Sequence, residues 1–273
     1  MTDNAPQLNR EISTTLIARS GRPTIAVHIL GQEPTMLLVH GATATAASWF
    51  QAMPAVAGME VTPAAIDLSG HGQSQGFKEL QSFRIRDYVS DVLDVLARWP
   101  SIRILAGHSM GGLIGQLVAA QVDLDKLVLV ASSPVGGMRG DGLRMARTHP
   151  WTFVAAGIRH SFKRLYKSPR VTRSLLFHPD SSEEMVVQFM GECQEESWIA
   201  GNEMNTLMPV PHDVRCPVTV IAGQSDFMVG QASSERTALA YSTKPLVLAG
   251  CAHMVPIEAK PEVFARAMVL NDA

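Results

Sequence analysis

Short apolar runs alternate with stretches of helical spacing along most of the chain. The runs are too short for buried helices and rich in Val, Ile and Leu, so they predict buried strands. The predicted strands are 14–18, 24–29, 36–39, 64–66, 102–106, 126–131, 218–222 and 246–248. The predicted helices of the first half are 44–56, 82–99 and 113–120. After an opening antiparallel pair, this alternation indicates an α/β fold with a mostly parallel central sheet and helices on both faces.

The alternation stops between residues 133 and 215. No run typical of a buried strand occurs there; Met, Trp, Phe and Leu are spaced as in helices, and prolines interrupt the segment. We predict a helical lid inserted into the core, giving a first core part at 1–133, a lid at 134–212 and a second core part at 213–273. Such insertions often supply substrate pockets. The other interpretation is an outer helical layer of the same domain.

The stretch "GHSMGG", residues 107–112, joins a predicted strand to a predicted helix. Gly107 and Gly111 flank Ser109 and allow a sharp turn with close packing of the helix on the strand. This is the G-x-S-x-G pattern of a nucleophile elbow, which exposes the serine hydroxyl at the carboxyl edge of the sheet. The alternative is a glycine-rich loop in which Ser109 caps the helix.

A serine hydroxyl becomes a useful nucleophile when a base, itself held by a carboxylate, lies within hydrogen-bond reach. His253 and Asp226 each follow a predicted strand, so we expect both at the same sheet edge as Ser109. Asp141, which follows the sixth strand, is the second candidate for the acid. The sequence therefore predicts Ser109, Asp226 and His253 as catalytic residues.

Negative charge on a reacting carbonyl oxygen calls for fixed hydrogen-bond donors. The backbone N–H of Met110 lies at the start of the helix after Ser109, where backbone donors are free. Ala42 follows a glycine at the end of the third predicted strand. We predict that the backbone N–H groups of Ala42 and Met110 form an oxyanion hole.

Five sequence blocks together resemble the α/β-hydrolase-fold serine hydrolases. They are "HG" at 40–41, "DLSGHGQS" at 67–74, "GHSMGG" at 107–112, "GQSDFMV" at 223–229 and "GCAHMVPIEAKPE" at 250–262. The resemblance implies a lid-bearing, carboxylesterase-like enzyme with its triad in the order Ser109, Asp226, His253. In one departure, Gly230 stands where many relatives have a proline shortly after the acid. A serine at the elbow, in place of an aspartate, argues against dehalogenase chemistry.

Composition narrows the range of partners. The 273 residues carry a net charge of −2, so no overall basic field favours nucleic acid or an anionic membrane. Three cysteines without metal-binding spacing favour a reducing compartment. We find no segment typical of a signal peptide or a membrane-spanning helix, so we expect a cytoplasmic protein. The chemistry requires no metal or organic cofactor.

The predicted lid is rich in apolar side chains, and its basic and acidic residues lie in separate segments. The candidates for lining a substrate pocket are Trp151, Phe153, Phe162, Phe189 and Met190. Basic residues are concentrated at 139–173 and acidic residues at 180–203. Either the two exposed faces attract each other, or the basic half docks an anionic acyl carrier such as coenzyme A or an acyl-carrier protein.

These observations predict a hydrolase that cleaves a small-molecule ester or thioester through an acyl-enzyme on Ser109. Alternatives with the same triad are hydrolysis of a lactone or of a carbon–carbon bond, and acyl transfer to an alcohol. A ligand-binding receptor on a hydrolase scaffold is the non-enzymatic alternative. The sequence carries no information on oligomeric state.

Overall fold

A single sheet contains the strands of residues 11–270, the part of the chain that the computed structural model describes. The strands are β1 Ile12–Arg19, β2 Arg22–Leu30, β3 Met36–Val39, β4 Pro63–Asp67, β5 Ile104–His108, β6 Lys126–Val130, β7 Val218–Gly223 and β8 Pro245–Leu248. Their spatial order is β1-β2-β4-β3-β5-β6-β7-β8. β2 is antiparallel to both of its neighbours, and all other pairs are parallel. The predicted α/β architecture is confirmed.

The strand register brings the carboxyl ends of the central strands together. Val39 of β3 pairs with Gly107 of β5, and His108 pairs with Val130 of β6. Gly223, which ends β7, pairs with Leu248. The loops after β3, β5, β7 and β8 therefore leave the sheet at one edge, where ligands collect in open α/β sheets.

Helices cover both faces of this sheet. The α-helices are α1 Met53–Ala57, α2 Ile85–Arg98, α3 Met110–Ala119, α4 Arg139–Thr148, α5 Pro150–Arg159, α6 Pro169–Leu176, α7 Glu183–Glu192, α8 Trp198–Glu203, α9 Gln231–Ala240, α10 Val255–Glu258 and α11 Pro261–Leu270. Alternate strand residues point to opposite faces, so Leu37 and Leu105 pack with α2 and α3, whereas Leu38 and Ala106 pack with α1 and α11. Two hydrophobic layers thus hold the sheet rigidly between them.

The predicted helix 113–120 begins three residues earlier, at Met110. Two other predicted helices differ from the observed ones for simple physical reasons. The predicted helix 44–56 is a 3₁₀ turn, Ala46–Trp49, followed by the short α1. Pro54 lacks a backbone N–H and is tolerated in the first turn of a helix, so α1 starts beside it. α2 begins at Ile85, three residues later than predicted, because Asp87 accepts the backbone N–H of Arg84 and caps the helix there.

Between β6 and β7 the described chain is helical and forms its own apolar cluster. Leu175, Phe177 and Phe189 are buried in this cluster. Val229 and Met254, from the loops after β7 and β8, join it. The inserted segment is therefore packed onto the loops at the carboxyl edge. The boundaries at residues 134 and 212 stay a prediction.

Within residues 11–270 we find no helix whose length and apolar character would let it span a bilayer.

Candidate active site

Ser109 occupies the turn between β5 and α3. Its backbone has φ of +52° and ψ of −114°, a conformation that costs energy for any residue with a side chain. β6 and the loop after it hold the turn. Ser109 N–H donates to the Val130 carbonyl at 3.0 Å, and Ser133 N–H donates to the Ser109 carbonyl at 3.0 Å. These hydrogen bonds maintain the strained turn.

The glycines around Ser109 are required by close backbone packing. A Cβ at Gly107 would clash with the carbonyl oxygen of Gly111, one turn further on. A Cβ at Gly111 would clash with the carbonyl oxygens of Val39 and His40 at the end of β3. The G-x-S-x-G spacing therefore lets α3 start directly against β3 and β5.

His253 lies between Ser109 and Asp226. His253 Nε2 is 3.0 Å from Ser109 Oγ, and His253 Nδ1 is 3.0 Å from Asp226 Oδ2. Asp226 Oδ1 accepts the Val229 backbone N–H at 2.8 Å, which fixes the carboxylate. The imidazole and carboxylate side chains are almost wholly buried, whereas Ser109 is partly accessible. Such a chain of hydrogen bonds can move a proton from a serine hydroxyl to an imidazole.

Two groups fix the backbone of His253. Its N–H donates to the carbonyl of Leu176, the last residue of α6, at 3.0 Å. Burial, together with neighbouring His253, lowers the pKa of His108 to about 3, so the His108 ring is neutral near pH 7. The neutral ring donates from Nε2 to the His253 carbonyl at 2.9 Å. The inserted segment and the elbow therefore both position His253.

Asp141, the second candidate for the acid, has other partners. Its carboxylate accepts hydrogen bonds from Arg144 Nη1 and from Ser233 Oγ, both at 2.7 Å. It thereby ties α4 of the inserted segment to the start of α9. The carboxylate beside His253 is that of Asp226.

The backbone of Ala42 and Met110 borders the serine. A Cβ at Gly41, directly before Ala42, would lie 3.1 Å from Ser109 Cβ, so the loop after β3 abuts the elbow. In residues 11–270 neither N–H donates to a protein acceptor. Met110 starts α3, where backbone donors are free to meet an anion.

A cavity of about 510 Å³ opens beside Ser109 and His253. This volume suits a small organic substrate. Of the predicted pocket residues, Phe153, Phe162 and Phe189 line it. The lining residues that were not predicted include Tyr166, Leu176, Met228, Arg139 and Asn205. Since most of the lining side chains are apolar, the cavity favours an apolar substrate segment.

Trp151 and Met190 lie outside this cavity, which corrects two expectations from the sequence. Trp151 is 83% exposed on α5. Helical residues two positions apart differ by about 200° around the axis, so Trp151 points away when Phe153 faces the cavity. Met190 is the residue after Phe189 on α7, so its side chain is rotated by about 100° around the helix axis. It lies in a surface groove beside Lys163. Sequence spacing shows that such residues are helical but not which face is inward.

One buried acid near the site was missed from the sequence. Glu196, in the acidic stretch 180–203, is fully buried and contacts the loop after β3. Acidic runs are usually solvated, and Glu196 meets Thr43 across 153 positions of sequence. No local pattern indicates that contact.

Residues 36–267 match the model of the alpha/beta hydrolase family. The chain therefore belongs to this family.

Two curated proteins are similar to shorter stretches of the chain. The chain is 33% identical over 81 residues to epoxide hydrolase B of Mycobacterium tuberculosis, covering 29% of this chain and 23% of that protein. It is 36% identical over 102 residues to a pimeloyl-[acyl-carrier protein] methyl ester esterase of Pectobacterium carotovorum, covering 36% of this chain and 37% of the relative. Each match spans well under two thirds of the relative's own length.

Among solved structures, the crystal structure of VinJ superposes over most of the chain. The TM-score is 0.73 at 18% identity, and the match covers 95% of this chain and 97% of VinJ. This similarity supports the shared fold.

Proposed function

We propose that the protein is a serine hydrolase that cleaves a small carboxylic ester or thioester through an acyl-enzyme on Ser109. The observation that carries the proposal is the hydrogen-bonded chain from Ser109 through His253 to Asp226, beside a mainly apolar cavity. The same arrangement would be unusual in a receptor, which needs no base within 3.0 Å of a serine hydroxyl.

The proposed reaction has two halves. Ser109 Oγ attacks the carbonyl carbon as its proton passes to His253 Nε2, and Asp226 stabilises the resulting imidazolium through Nδ1. His253 then gives that proton to the departing alcohol or thiol. Water attacks the acyl-enzyme, returns a proton to Ser109 through His253, and releases the acid.

The backbone N–H groups of Ala42 and Met110 are proposed to bind the oxyanion of each tetrahedral intermediate. Both donors are free in the described structure and adjoin the elbow. Because they are fixed before reaction, they stabilise charge without reorganisation.

The substrate is proposed to be a small molecule, free or carried on an acyl carrier. One curated relative is named as an esterase of an acyl-carrier-protein-linked ester, which supports the carrier-linked form. Arg139 lies exposed on the cavity lining, and basic residues line a nearby groove at Lys163, Arg164 and Lys167. These cations suit an anionic carrier better than a neutral one.

A fluorophosphonate probe tests the proposed function. Incubation should label one residue per chain, and peptide mapping should place the label on Ser109. Parallel assays with p-nitrophenyl esters, acyl thioesters, acyl-carrier-protein esters and lactones of increasing chain length then define the bond cleaved. Absence of labelling together with absence of turnover across this panel would refute the proposal.

Acyl-chain preference should depend on Phe153 and not on Trp151. Phe153→Ala enlarges the cavity, so we expect kcat/KM for longer p-nitrophenyl esters to rise relative to the acetate. The rise should be about fourfold for each additional methylene that the cavity accommodates, on the basis of about 0.8 kcal/mol per buried methylene. Trp151→Ala, on the exposed face of the same helix, is the matched control and should leave the chain-length profile unchanged. Equal shifts in both variants would contradict the assignment of the lining.

A further inference from the structure

The inserted segment is hydrogen-bonded to the loop that carries Ala42. Gln194 N–H donates to the Thr43 carbonyl at 2.8 Å, and Thr43 N–H donates to Glu196 Oε2 at 3.4 Å. Thr43 has φ of +63°, a left-handed conformation that is costly for a β-branched residue. Contacts from outside the loop must therefore maintain this conformation.

Glu196 is anchored independently on its other oxygen. Glu196 Oε1 accepts the Tyr88 hydroxyl and the Ser197 N–H, each at 2.7 Å. Tyr88 belongs to α2 and is buried in the hydrophobic layer between α2 and the sheet. Oε1 of Glu196 thus holds the side chain in place through Tyr88 and Ser197, and Oε2 faces the loop after β3.

His71 neutralises the buried carboxylate. His71 Nε2 lies 3.3 Å from Glu196 Oε2, and both side chains are fully buried. Burial disfavours either charge alone, but the carboxylate raises the pKa of His71, and His71 in turn lowers the pKa of Glu196. The two groups therefore form an ion pair. A lone carboxylate this close to Ala42 would oppose an oxyanion, whereas a neutralised pair does not.

We propose that Glu196 is a positioning residue that fixes the oxyanion loop through Thr43. The inference rests on the proposed function, because the loop matters only if Ala42 binds an oxyanion. The peptide group between Ala42 and Thr43 contains the N–H that donates to Glu196. Fixing this peptide group restricts rotation about the backbone bonds of Ala42. The Ala42 N–H is then kept in one direction before the charge develops, which is the condition for efficient stabilisation.

Glu196→Gln and Tyr88→Phe separate positioning from stability. In E196Q the amide oxygen keeps the bonds to Tyr88 and Ser197, while the amide NH₂ replaces the oxygen that accepts Thr43 N–H. We expect kcat to fall about tenfold with KM nearly unchanged, and fluorophosphonate labelling to slow by a similar factor. Y88F removes one of the two hydrogen bonds to the other oxygen, while the Ser197 N–H still holds that oxygen in place. Tm should therefore fall, while kcat measured well below Tm stays near wild type.

Glu196→Asp covers the case in which E196Q does not fold. Aspartate keeps the charge that pairs with His71 but is one methylene shorter, so its reach to Thr43 N–H is reduced. A lower kcat in E196D, with KM little changed, would again support positioning. Folded E196Q or E196D with wild-type kcat would overturn it, as would equal loss of kcat in Y88F. An inactive wild-type protein that fails to label would instead refute the proposed function.

Discussion

Ser109→Ala is expected to abolish turnover of p-nitrophenyl esters while the protein stays folded. Loss of the nucleophile in serine hydrolases lowers kcat by a factor on the order of 10⁶. Only the hydroxyl is removed, and the backbone bonds to Val130 and from Ser133 that hold the turn remain. Fluorophosphonate labelling should be lost, and Tm should be equal to or slightly above that of the wild type.

Ser132→Ala provides the matched control for this experiment. Ser132 is a buried serine beside the elbow helix, and its hydroxyl donates to the Ser133 carbonyl at 2.9 Å. It has no contact with His253 among its hydrogen bonds. We expect this variant to keep labelling and turnover. Turnover by S109A at a tenth of the wild-type rate or more would exclude Ser109 as the nucleophile.

The elbow, and the sheet edge at which the loops of His253 and Asp226 meet it, could be predicted from the sequence. The elbow depends on a five-residue pattern whose glycines relieve clashes with backbone atoms in β3 and α3, so the pattern itself carries the geometry. His253 and Asp226 follow strands, and parallel strands end at a common edge. Topology alone therefore brought these loops to one place, even though 144 positions separate His253 from Ser109.

Features that depend on helix rotation and long-range packing could not be predicted. Phe153 and Trp151 have the same apolar character, and only the packing of α5 decides which one faces inward. The contact between Glu196 and Thr43 joins two loops with no shared pattern. The sequence alone predicts that Glu196, which lies in an acidic run, is a surface residue. Only the fold shows that it is buried beside His71.

Replacing the acid beside His253 should have the second largest effect on catalysis. Asp226 accepts the Nδ1–H of His253 and so leaves Nε2 unprotonated toward Ser109. In Asp226→Asn the amide oxygen can keep the Val229 N–H, while the amide NH₂ donates to Nδ1 and forces the proton onto Nε2. That tautomer cannot accept the serine proton, and we expect kcat to fall about 10⁴-fold with little change in fold.

Asp141→Asn distinguishes a specific role of Asp226 from the general cost of neutralising a buried aspartate. Both acids are buried in loops or helices beyond the carboxyl edge, but Asp141 bonds Arg144 and Ser233 instead of an imidazole. Loss of its charge weakens the link between α4 and α9, so Tm should fall while kcat for a short p-nitrophenyl ester stays close to wild type. Because the two variants remove the same charge, the difference between their kcat values isolates the effect of the Asp226 contact with His253. Similar loss of kcat in both, or a nearly active D226N, would mean that the proton on His253 is not controlled by Asp226.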